Sequence, residues 1–357
     1  MSLLNRRRPS IGLDIGSSGI KLMELDQDSK TGRYRLLHFE MATLPPEAIV
    51  DGQIMNTTVV VDQIRELLQR RRIKTKFATA SISGNSVIIK RVTLPQMSID
   101  ELEESIQWEA EQYIPFDIND VNIDVQILQG ASLDPGQMDV LLVAARKEVV
   151  NERQSLLSQA GLRTSVVDVD AFAIANMFEL NYDVPKETVA LVNVGASVVS
   201  IHILRSGVSA FTRDVGMGGR QFTEEIQRTL NISFEEAEAL KTGGNDPDAA
   251  AVVPEEIERV LSSVGASLAT EIQRSLDFYL STSSDSGIAG IYLSGGAART
   301  PGLPRAIERQ TGLPVEIVDP FRKIQVDERA FNPGHLQHIA PQAAVVVGLA
   351  MRRPGDK

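Results

Sequence analysis

The chain contains the same glycine-rich pattern twice, and this repetition constrains the fold more than any other feature. Residues 11–25 read IGLDIGSSGIKLMEL, and residues 190–204 read ALVNVGASVVSIHIL. Both segments alternate apolar residues with small or polar ones on either side of a glycine-containing turn, which predicts a β-hairpin. Asn193 aligns with Asp14 at an offset of 179 residues, close to half of the 357-residue chain. The repetition therefore predicts a duplicated α/β architecture.

The residues in these two turns suit a phosphate group. Glycines let backbone N–H groups approach phosphate oxygens closely, and serine hydroxyls add further donors. Lys21 would place a cation on the same oxygens, while Asp14 would hold a magnesium ion through its water shell. A single turn of this kind is more often a plain hairpin. The candidate phosphate ligands in the two turns are Gly16, Ser17, Ser18, Gly195, Ala196 and Ser197.

A third glycine-rich segment, residues 291–302 (IYLSGGAARTPG), follows an apolar strand pattern. Gly295, Gly296 and Ala297 are small enough to lie against the face of a nucleoside. Two facing hairpins together with this segment would clamp a nucleotide in a cleft. The alternative is three unrelated turns, and the repetition makes it the less favoured interpretation.

Composition excludes several classes of protein. The net charge of −11 argues against a nucleic-acid partner, which needs a basic surface. The absence of cysteine excludes disulfides and thiol catalysis. No apolar run is long enough for a transmembrane helix or a signal peptide, so we expect a cytoplasmic protein. Leu3, Leu4 and residues 6–8, three arginines, could touch an anionic membrane, although a solvated terminus is the favoured interpretation.

The three glycine-rich segments resemble the first phosphate, second phosphate and adenosine motifs of the actin, heat-shock-chaperone and sugar-kinase superfamily. Much of the chain resembles the PilM family of actin-like type IV pilus assembly proteins, and next the cell-division protein FtsA. This resemblance implies an actin-like, ribonuclease-H-like two-domain α/β fold with a duplicated core and an FtsA-type 1C subdomain. The segments that carry it are SVIIKRVTLP (86–95), EQYIPFDI (111–118), MDVLLVAARKEVV (138–150), VVDVDAFAIANMFELNY (166–182) and APQAAVVVGLAMR (340–352).

Residue patterns and the resemblance divide the chain into four subdomains. Residues 84–163 read as the inserted subdomain 1C, with a capping box at Ser98 and Glu101 and a second helix that ends at Gly161. A turn at residues 134–136 joins two of its strands, and residues 245–254 read as a polar loop. The other expected ranges are 1–83 and 164–186 for subdomain 1A, 187–225 and 287–357 for 2A, and 226–286 for 2B.

Trp108 lies opposite the apolar side of the helix predicted from Ser98 to about Tyr113. That apolar side carries Leu102 and Ile106 at helical spacing. Two interpretations of Trp108 stay open. Either a second layer of structure covers the ring, or Trp108 is an anchor at a partner surface, where tryptophan is enriched.

The resemblance adds further candidate nucleotide ligands in the second half. Gly218 and Gly219 lie at a predicted helix start, where N–H groups without helical partners would receive phosphate. Glu238 and Lys241 are one turn apart and would reach a ribose, whereas spacing alone favours an ordinary surface ion pair. Arg299, beside the third glycine-rich segment, completes the set of candidate ligands.

Two acids lie at a predicted strand–helix junction, where members of the superfamily can place a carboxylate that orients the attacking water. Asp170 is expected to cap the helix, which leaves Asp168 as the candidate catalytic residue. Position 193 is Asn where many members of the superfamily have Asp. The missing carboxylate weakens the surroundings of magnesium and water. The resemblance therefore implies ATP and Mg²⁺ as cofactors, with weak or no ATPase activity.

The leading hypothesis is a cytoplasmic ATP-binding scaffold of type IV pilus assembly, peripheral at the inner membrane. The resemblance implies that the tail of a PilN-like inner-membrane protein binds between subdomains 1A and 1C. Other pilus components and self-association into a ring are further expected partnerships. The alternatives are an FtsA-like membrane-associated cytoskeletal ATPase and a small-molecule kinase. No sugar-binding motif supports the kinase, and no amphipathic helix follows residue 352, as FtsA would require.

Overall fold

The structure is a computed structural model that describes residues 9–50, 52–128, 136–183, 186–242, 255–283, 285 and 287–356. The basic N-terminal segment, most of the predicted turn at 134–136 and the predicted loop at 245–254 lie outside these residues. Across the part of the chain that is described, no helix has the length and apolarity needed to cross a membrane.

Strands and helices alternate along both halves of the chain. The strands are β1 Ile11–Gly16, β2 Gly19–Gln27, β3 Tyr34–Thr43, β4 Ile49–Val50, β5 Gln53–Ile54, β6 Phe77–Ile82, β7 Val87–Pro95, β8 Val121–Leu128, β9 Gln137–Arg146, β10 Arg163–Val169, β11 Thr188–Val194, β12 Val199–Arg205, β13 Val208–Val215, β14 Ile291–Ser294 and β15 Val315–Ile317. The helices are α1 Thr57–Arg70, α2 Ile99–Glu111, α3 Lys147–Gln159, α4 Asp170–Asn181, α5 Gly219–Leu230, α6 Phe234–Lys241, α7 Glu255–Thr282, α8 Leu303–Thr311, α9 Pro333–Ile339 and α10 Ala344–Met351. Ala340–Ala343 form a 3₁₀ turn that leads into α10.

Two five-stranded sheets confirm the predicted duplication. Their orders are β3-β2-β1-β6-β10 and β13-β12-β11-β14-β15. In each sheet the first three strands along the chain form an antiparallel meander. The next two strands lie on the side of the first of these, β1 or β11, and run parallel to it. Asp14 and Asn193 occupy equivalent positions, since Asp14 lies two residues before the end of β1 and Asn193 lies one residue before the end of β11. The alignment of the two glycine-rich segments is therefore an alignment of structure.

Each five-stranded sheet with its helices forms one lobe, the first around β1 and the second around β11. The two lobes share one apolar core. It contains Met23 and Phe39 of the first sheet, Leu191 of the second, and much of α4 and α10. The helices cross at glycine: a Cβ atom on Gly348 of α10 would lie 1.8 Å from the Ala173 carbonyl oxygen of α4. This spacing admits no side chain at Gly348, so it fixes how closely the two helices approach.

The insertion forms a third sheet, β7-β9-β8, covered by α2. The predicted capping box is confirmed, because the Ser98 hydroxyl accepts from the Glu101 N–H and the Glu101 carboxylate accepts from the Ser98 N–H. The second helix predicted for this insertion, α3, packs against the first lobe instead. Leu156 and Leu157 of α3 lie in the core of the first lobe, since their apolar side meets α1 and the first sheet.

Trp108 on α2 is 77% exposed. The interpretation in which a second layer of structure covers its ring is therefore wrong. The ring lies on the side of α2 away from the β7-β9-β8 sheet, because Leu102 and Ile106 occupy the side that faces the core.

Replacing Gly348 with Ala should lower stability by about 3 kcal/mol, because the new methyl group meets backbone that cannot move away. Gly265→Ala in α7 is the matched control, since its Cβ would meet Ala306 Cβ at an ordinary 3.8 Å. That change should be neutral or stabilising by up to about 1 kcal/mol, through helix propensity. Thermal and urea unfolding measure both variants. A Gly348→Ala protein as stable as Gly265→Ala would contradict the close helix crossing.

Candidate functional site

The two glycine-rich turns meet between the two halves of the chain, and the space that they border is called the cleft. Ser17 in the β1–β2 turn and Ser197 in the β11–β12 turn have their hydroxyl oxygens 2.9 Å apart. Residues separated by half the chain thus share one small volume. The open position of Gly16 fits a ligand, because an added Cβ would find nothing closer than the Gly19 carbonyl oxygen at 3.5 Å.

The first hairpin carries a charged pair. Lys21 lies opposite Asp14 in the β1–β2 ladder, and its Nζ donates to Asp14 Oδ2 at 2.9 Å. Both side chains are largely withdrawn from solvent. An ammonium and a carboxylate at this place are the groups that could separate to hold a phosphate and a hydrated cation, respectively.

The second hairpin is neutral at the equivalent place. Asn193 Oδ1 accepts a hydrogen bond from the Ser294 hydroxyl at 3.2 Å, and the two residues are neighbours in the parallel β11–β14 ladder. The amide is therefore held by the strand that leads into the third glycine-rich segment. The two hairpins share a shape but differ in charge.

The start of α5 joins the second hairpin instead of presenting an open N-terminus. The Gly219 N–H donates to the Gly195 carbonyl oxygen and the Arg220 N–H donates to the Ala196 carbonyl oxygen, each at 2.8 Å. A Cβ on Gly218 would lie 2.6 Å from that Ala196 oxygen. The Gly219 amide, predicted as a phosphate donor, is thus occupied here, and the glycines permit a close contact of backbones.

Glu238 and Lys241 form the predicted ion pair, with Lys241 Nζ 2.6 Å from Glu238 Oε2. Lys241 also donates to the Thr223 hydroxyl at 3.0 Å and to the Gly219 carbonyl oxygen at 3.3 Å. The spacing alone favours a surface pair, but Lys241 is buried. The pair fastens α6 to the start of α5, and so it borders the second hairpin.

The third glycine-rich segment packs on the end of β11. Gly295 has a φ of +98°, and a Cβ there would lie 2.3 Å from the Val194 carbonyl oxygen. Ala297 lies beside Gly219, because a Cβ added to Gly219 would be 3.0 Å from Ala297 Cβ. Gly296 is exposed with nothing near its added Cβ, so it presents an open wall. Arg299 instead donates to the Gln337 carbonyl oxygen at 3.0 Å.

Asp168 does not face the hairpins as a water-orienting acid. Its Oδ2 lies 3.1 Å from Nε of Arg352, just after α10. Burial raises the pKa of Asp168, and the Arg352 charge opposes that shift. This carboxylate ties the end of the shared core to β10, so its role in the structure is a buried ion pair.

Asp170 is the acid that lies with the hairpin charges. The prediction that it caps α4 is wrong, because Val169 occupies the N-cap position and makes no capping hydrogen bond through its side chain. Burial first, and then the Asp14 charge, raise the pKa of Asp170 to about 6, against hydrogen bonds from Ser81 and Ser83. Asp170 as a whole is half-buried.

Two more charged residues act on Asp170. The Asp214 carboxylate adds to the increase in its pKa. Arg153 of α3 is buried, and Asp170 is the foremost carboxylate that supports its charge. Asp214 also accepts from the Gly84 N–H at 2.5 Å, which links the second lobe to the start of the insertion. Asp170, Asp214 and Arg153 carry no motif of their own, so sequence reasoning missed them as site residues.

Residues 12–354 match the family model described as "Type IV pilus assembly protein PilM". The chain belongs to this family. A solved structure described as "PilM-PilN type IV pilus biogenesis complex" is 30% identical, covers 97% of this chain and 98% of its own, and superposes with a TM-score of 0.85. The PilM resemblance predicted from sequence is confirmed, as is the actin-like fold with a duplicated core.

More distant relatives agree on the fold. FtsA of Bacillus subtilis (strain 168) is 24% identical over 67% of this chain, and the match spans 58% of the FtsA length. MreB5 of Spiroplasma citri, solved bound to ADP, is 13% identical, covers 96% of this chain and 94% of its own, and has a TM-score of 0.53. At such identity the MreB5 likeness concerns the fold alone.

The raised pKa of Asp170 predicts a pH-dependent stability. Since the folded-state pKa of about 6 lies above the ordinary 3.8, the folded protein holds this proton more tightly, and stability falls as pH rises from about 4 to 6. Asp170→Asn removes that dependence. Its stability relative to wild type should rise by about 2 kcal/mol from pH 4.5 to 7.5, a figure reduced for solvent in the cleft.

Urea unfolding at the two pH values measures this difference. Asp62→Asn, a change at an exposed surface pair of α1, is the control and should show no such trend. A constant difference between Asp170→Asn and wild type across the range would show that Asp170 has an ordinary pKa.

Proposed function

We propose that this PilM-family protein binds Mg-ATP in the cleft and acts as a scaffold of the type IV pilus assembly machine at the inner membrane. The observation that carries the nucleotide proposal is the hydroxyl contact between Ser17 and Ser197, which brings both glycine-rich turns to one place. The MreB5 neighbour of the same fold was solved with ADP. The scaffold proposal rests on membership of the PilM family.

The residues of the cleft fit a hydrated divalent cation. Burial is the main cause that raises the pKa of Asp170 to about 6, and the charges of Asp14 and Asp214 add to it. No cluster of three direct metal ligands exists among the described residues. Asp14 would therefore hold magnesium through water, while Lys21 would turn from Asp14 to the phosphate oxygens. The cation supplies charge that offsets the crowded carboxylates and the phosphates.

The nucleoside would lie beside the second lobe. Gly296 and Ala297 offer a wall without bulky side chains, and Lys241 with Glu238 borders it across Gly219. Arg299 would reach the nucleotide only by leaving the Gln337 carbonyl. Gly218 and Gly219 would support the site by holding α5 against the second hairpin.

The partner proposal is that the N-terminal tail of a PilN-like inner-membrane protein binds between the first lobe and the insertion. The related structure with 30% identity is a PilM–PilN complex. The insertion has its own core, and α3 connects it to the first lobe, so the two form firm walls. An extended peptide suits such a groove because its alternate side chains can enter pockets. Other pilus components and a ring of copies remain further proposed partnerships.

Mg-ATP should raise the melting temperature of the wild-type protein, because a ligand that binds only the folded state stabilises it. Gly16→Arg should abolish the shift, since Gly16 has space for a side chain that then fills the phosphate position. Gly287→Arg is the control, because that glycine is equally open and precedes β14 at the far end of the sheet. Identical melting curves with and without Mg-ATP in wild type would refute nucleotide binding.

Hydrolysis should be slow, well below the roughly 10 per second of a typical enzyme. Asn193 supplies no charge, and its amide oxygen is held by the Ser294 hydroxyl. An aspartate could accept the same hydrogen bond, so Asn193→Asp should fold normally and gain turnover if one carboxylate is what the site lacks. Phosphate release under saturating Mg-ATP measures both proteins. Wild-type turnover near 10 per second would overturn this proposal.

A synthetic PilN-like tail peptide should bind the intact protein and lose binding when the insertion is removed. Val87 and Ala145 pair directly in the β7–β9 ladder, so a short glycine linker can replace the intervening residues while α3 stays in its core. Calorimetry measures the affinity, and a melting curve checks that the shortened protein folds. Trp108→Ala is the control and should bind as wild type does. Equal affinity for the intact and shortened proteins would place the groove elsewhere.

A further inference from the structure

Helix α2 carries an unbalanced charge on the outside of the insertion. Its sequence, IDELEESIQWEAE, contains six carboxylates and neither lysine nor arginine. The other long surface helices contain arginines that pair with some of their acids. Those pairs are Asp62–Arg65 and Glu66–Arg70 in α1, Glu225–Arg228 in α5, and Glu255–Arg259 and Glu271–Arg274 in α7.

Several of these carboxylates oppose the stability of α2 itself. Acids suit the first turn, where Asp100 and Glu101 meet the positive end of the helix dipole. Glu109 and Glu111 lie in the last turn, where the same dipole favours a cation. Asp100 and Glu104 are one turn apart and repel each other. A helix optimised for stability alone would carry lysine or arginine near its end.

Trp108 lies within this charged surface. Glu104 precedes it by one turn and Glu111 follows it by one turn, and all three side chains are exposed. Glu104 and Glu111 form no ion pair within the described ranges of the chain. An indole face between two carboxylates can receive a guanidinium or ammonium group through cation–π contact and charge-assisted hydrogen bonds together.

We propose that the outer side of α2, centred on Trp108, Glu104 and Glu111, is a docking surface for an arginine- or lysine-rich segment of a partner protein. Charge complementarity selects this occupant, because an acidic or purely apolar segment would leave the carboxylates of α2 unbalanced. A bound cation would also relieve the repulsion within the helix and the unfavourable charge in its last turn. The surface lies on the side of α2 away from the core of the insertion.

The protein contains its own reporter, since Trp108 is its single tryptophan. The probe is a short synthetic peptide of arginine, glycine and serine, and its matched control replaces every arginine with glutamine. Titration into the full-length protein should change the Trp108 emission and protect the ring from acrylamide quenching. Added salt should weaken this binding, because exposed charges are screened. The glutamine peptide should do neither.

Labelled-peptide anisotropy then compares variants that keep the fold, as melting curves verify. Trp108→Ala should weaken binding about tenfold, as expected for an aromatic anchor. The double change Glu104→Gln with Glu111→Gln should weaken it roughly threefold, as for exposed ion pairs. The control, Glu258→Gln with Glu308→Gln, removes two exposed acids of α7 and α8 and should leave affinity unchanged.

Three results would overturn the proposal. The first is unchanged Trp108 emission at peptide concentrations that saturate the anisotropy signal, which would place the peptide elsewhere. The second is equal affinity of Trp108→Ala and the Glu258/Glu308 control, which would show general attraction to an acidic protein. The third is concentration-dependent self-association that protects Trp108 without peptide, which would assign this surface to a second copy of the chain.

Discussion

The close crossing of α4 and α10 is the contact on which the rest of the structure depends. Gly348 lets the two helices approach until backbone meets backbone at Ala173, and the core around them includes both sheets. The contact joins the two halves of the duplication, because α10, which comes after β15 in the chain, packs on β1 and β2 of the first sheet, and α4 contacts β12 of the second sheet. In this arrangement Ser17 lies within hydrogen-bond distance of Ser197. A side chain at Gly348 would collide with the Ala173 backbone at the crossing.

Within this frame the duplicated halves have different electrostatic roles. The first hairpin carries the Asp14–Lys21 pair, whereas Asn193 leaves the second neutral. Asp170 and Asp214 add negative charge from other elements, and burial, together with the Asp14 and Asp214 charges, raises the pKa of Asp170. The carboxylates of Asp14, Asp170 and Asp214 favour a positively charged ligand in this cleft. This charge supports the proposed binding of a hydrated cation with phosphate, and the missing carboxylate at position 193 supports the proposed slow hydrolysis.

The insertion contacts the second lobe as well as the first, because β7 packs against β13. Its own core is separate, but the Gly84 N–H at its entry donates to Asp214, and α3 at its exit carries Arg153 towards Asp170. Both ends of the insertion therefore lie next to the charged residues of the cleft, Asp214 at one end and Asp170 at the other.

The sequence by itself determined the elements and the duplication, because periodicity, capping residues and glycine turns act over short distances. The hairpins around Gly16 and Gly195 agree with the pattern, as does the capping box at Ser98. Tertiary structure decided which acid faces the cleft: Asp168 pairs with Arg352, and Asp170 lies near Asp14. Tertiary structure also engages the Gly219 N–H in a hydrogen bond, buries Lys241, leaves Trp108 exposed and places α3 in the core of the first lobe. Each of these outcomes depends on a partner distant in the chain, and local patterns carry no information on which distant group arrives.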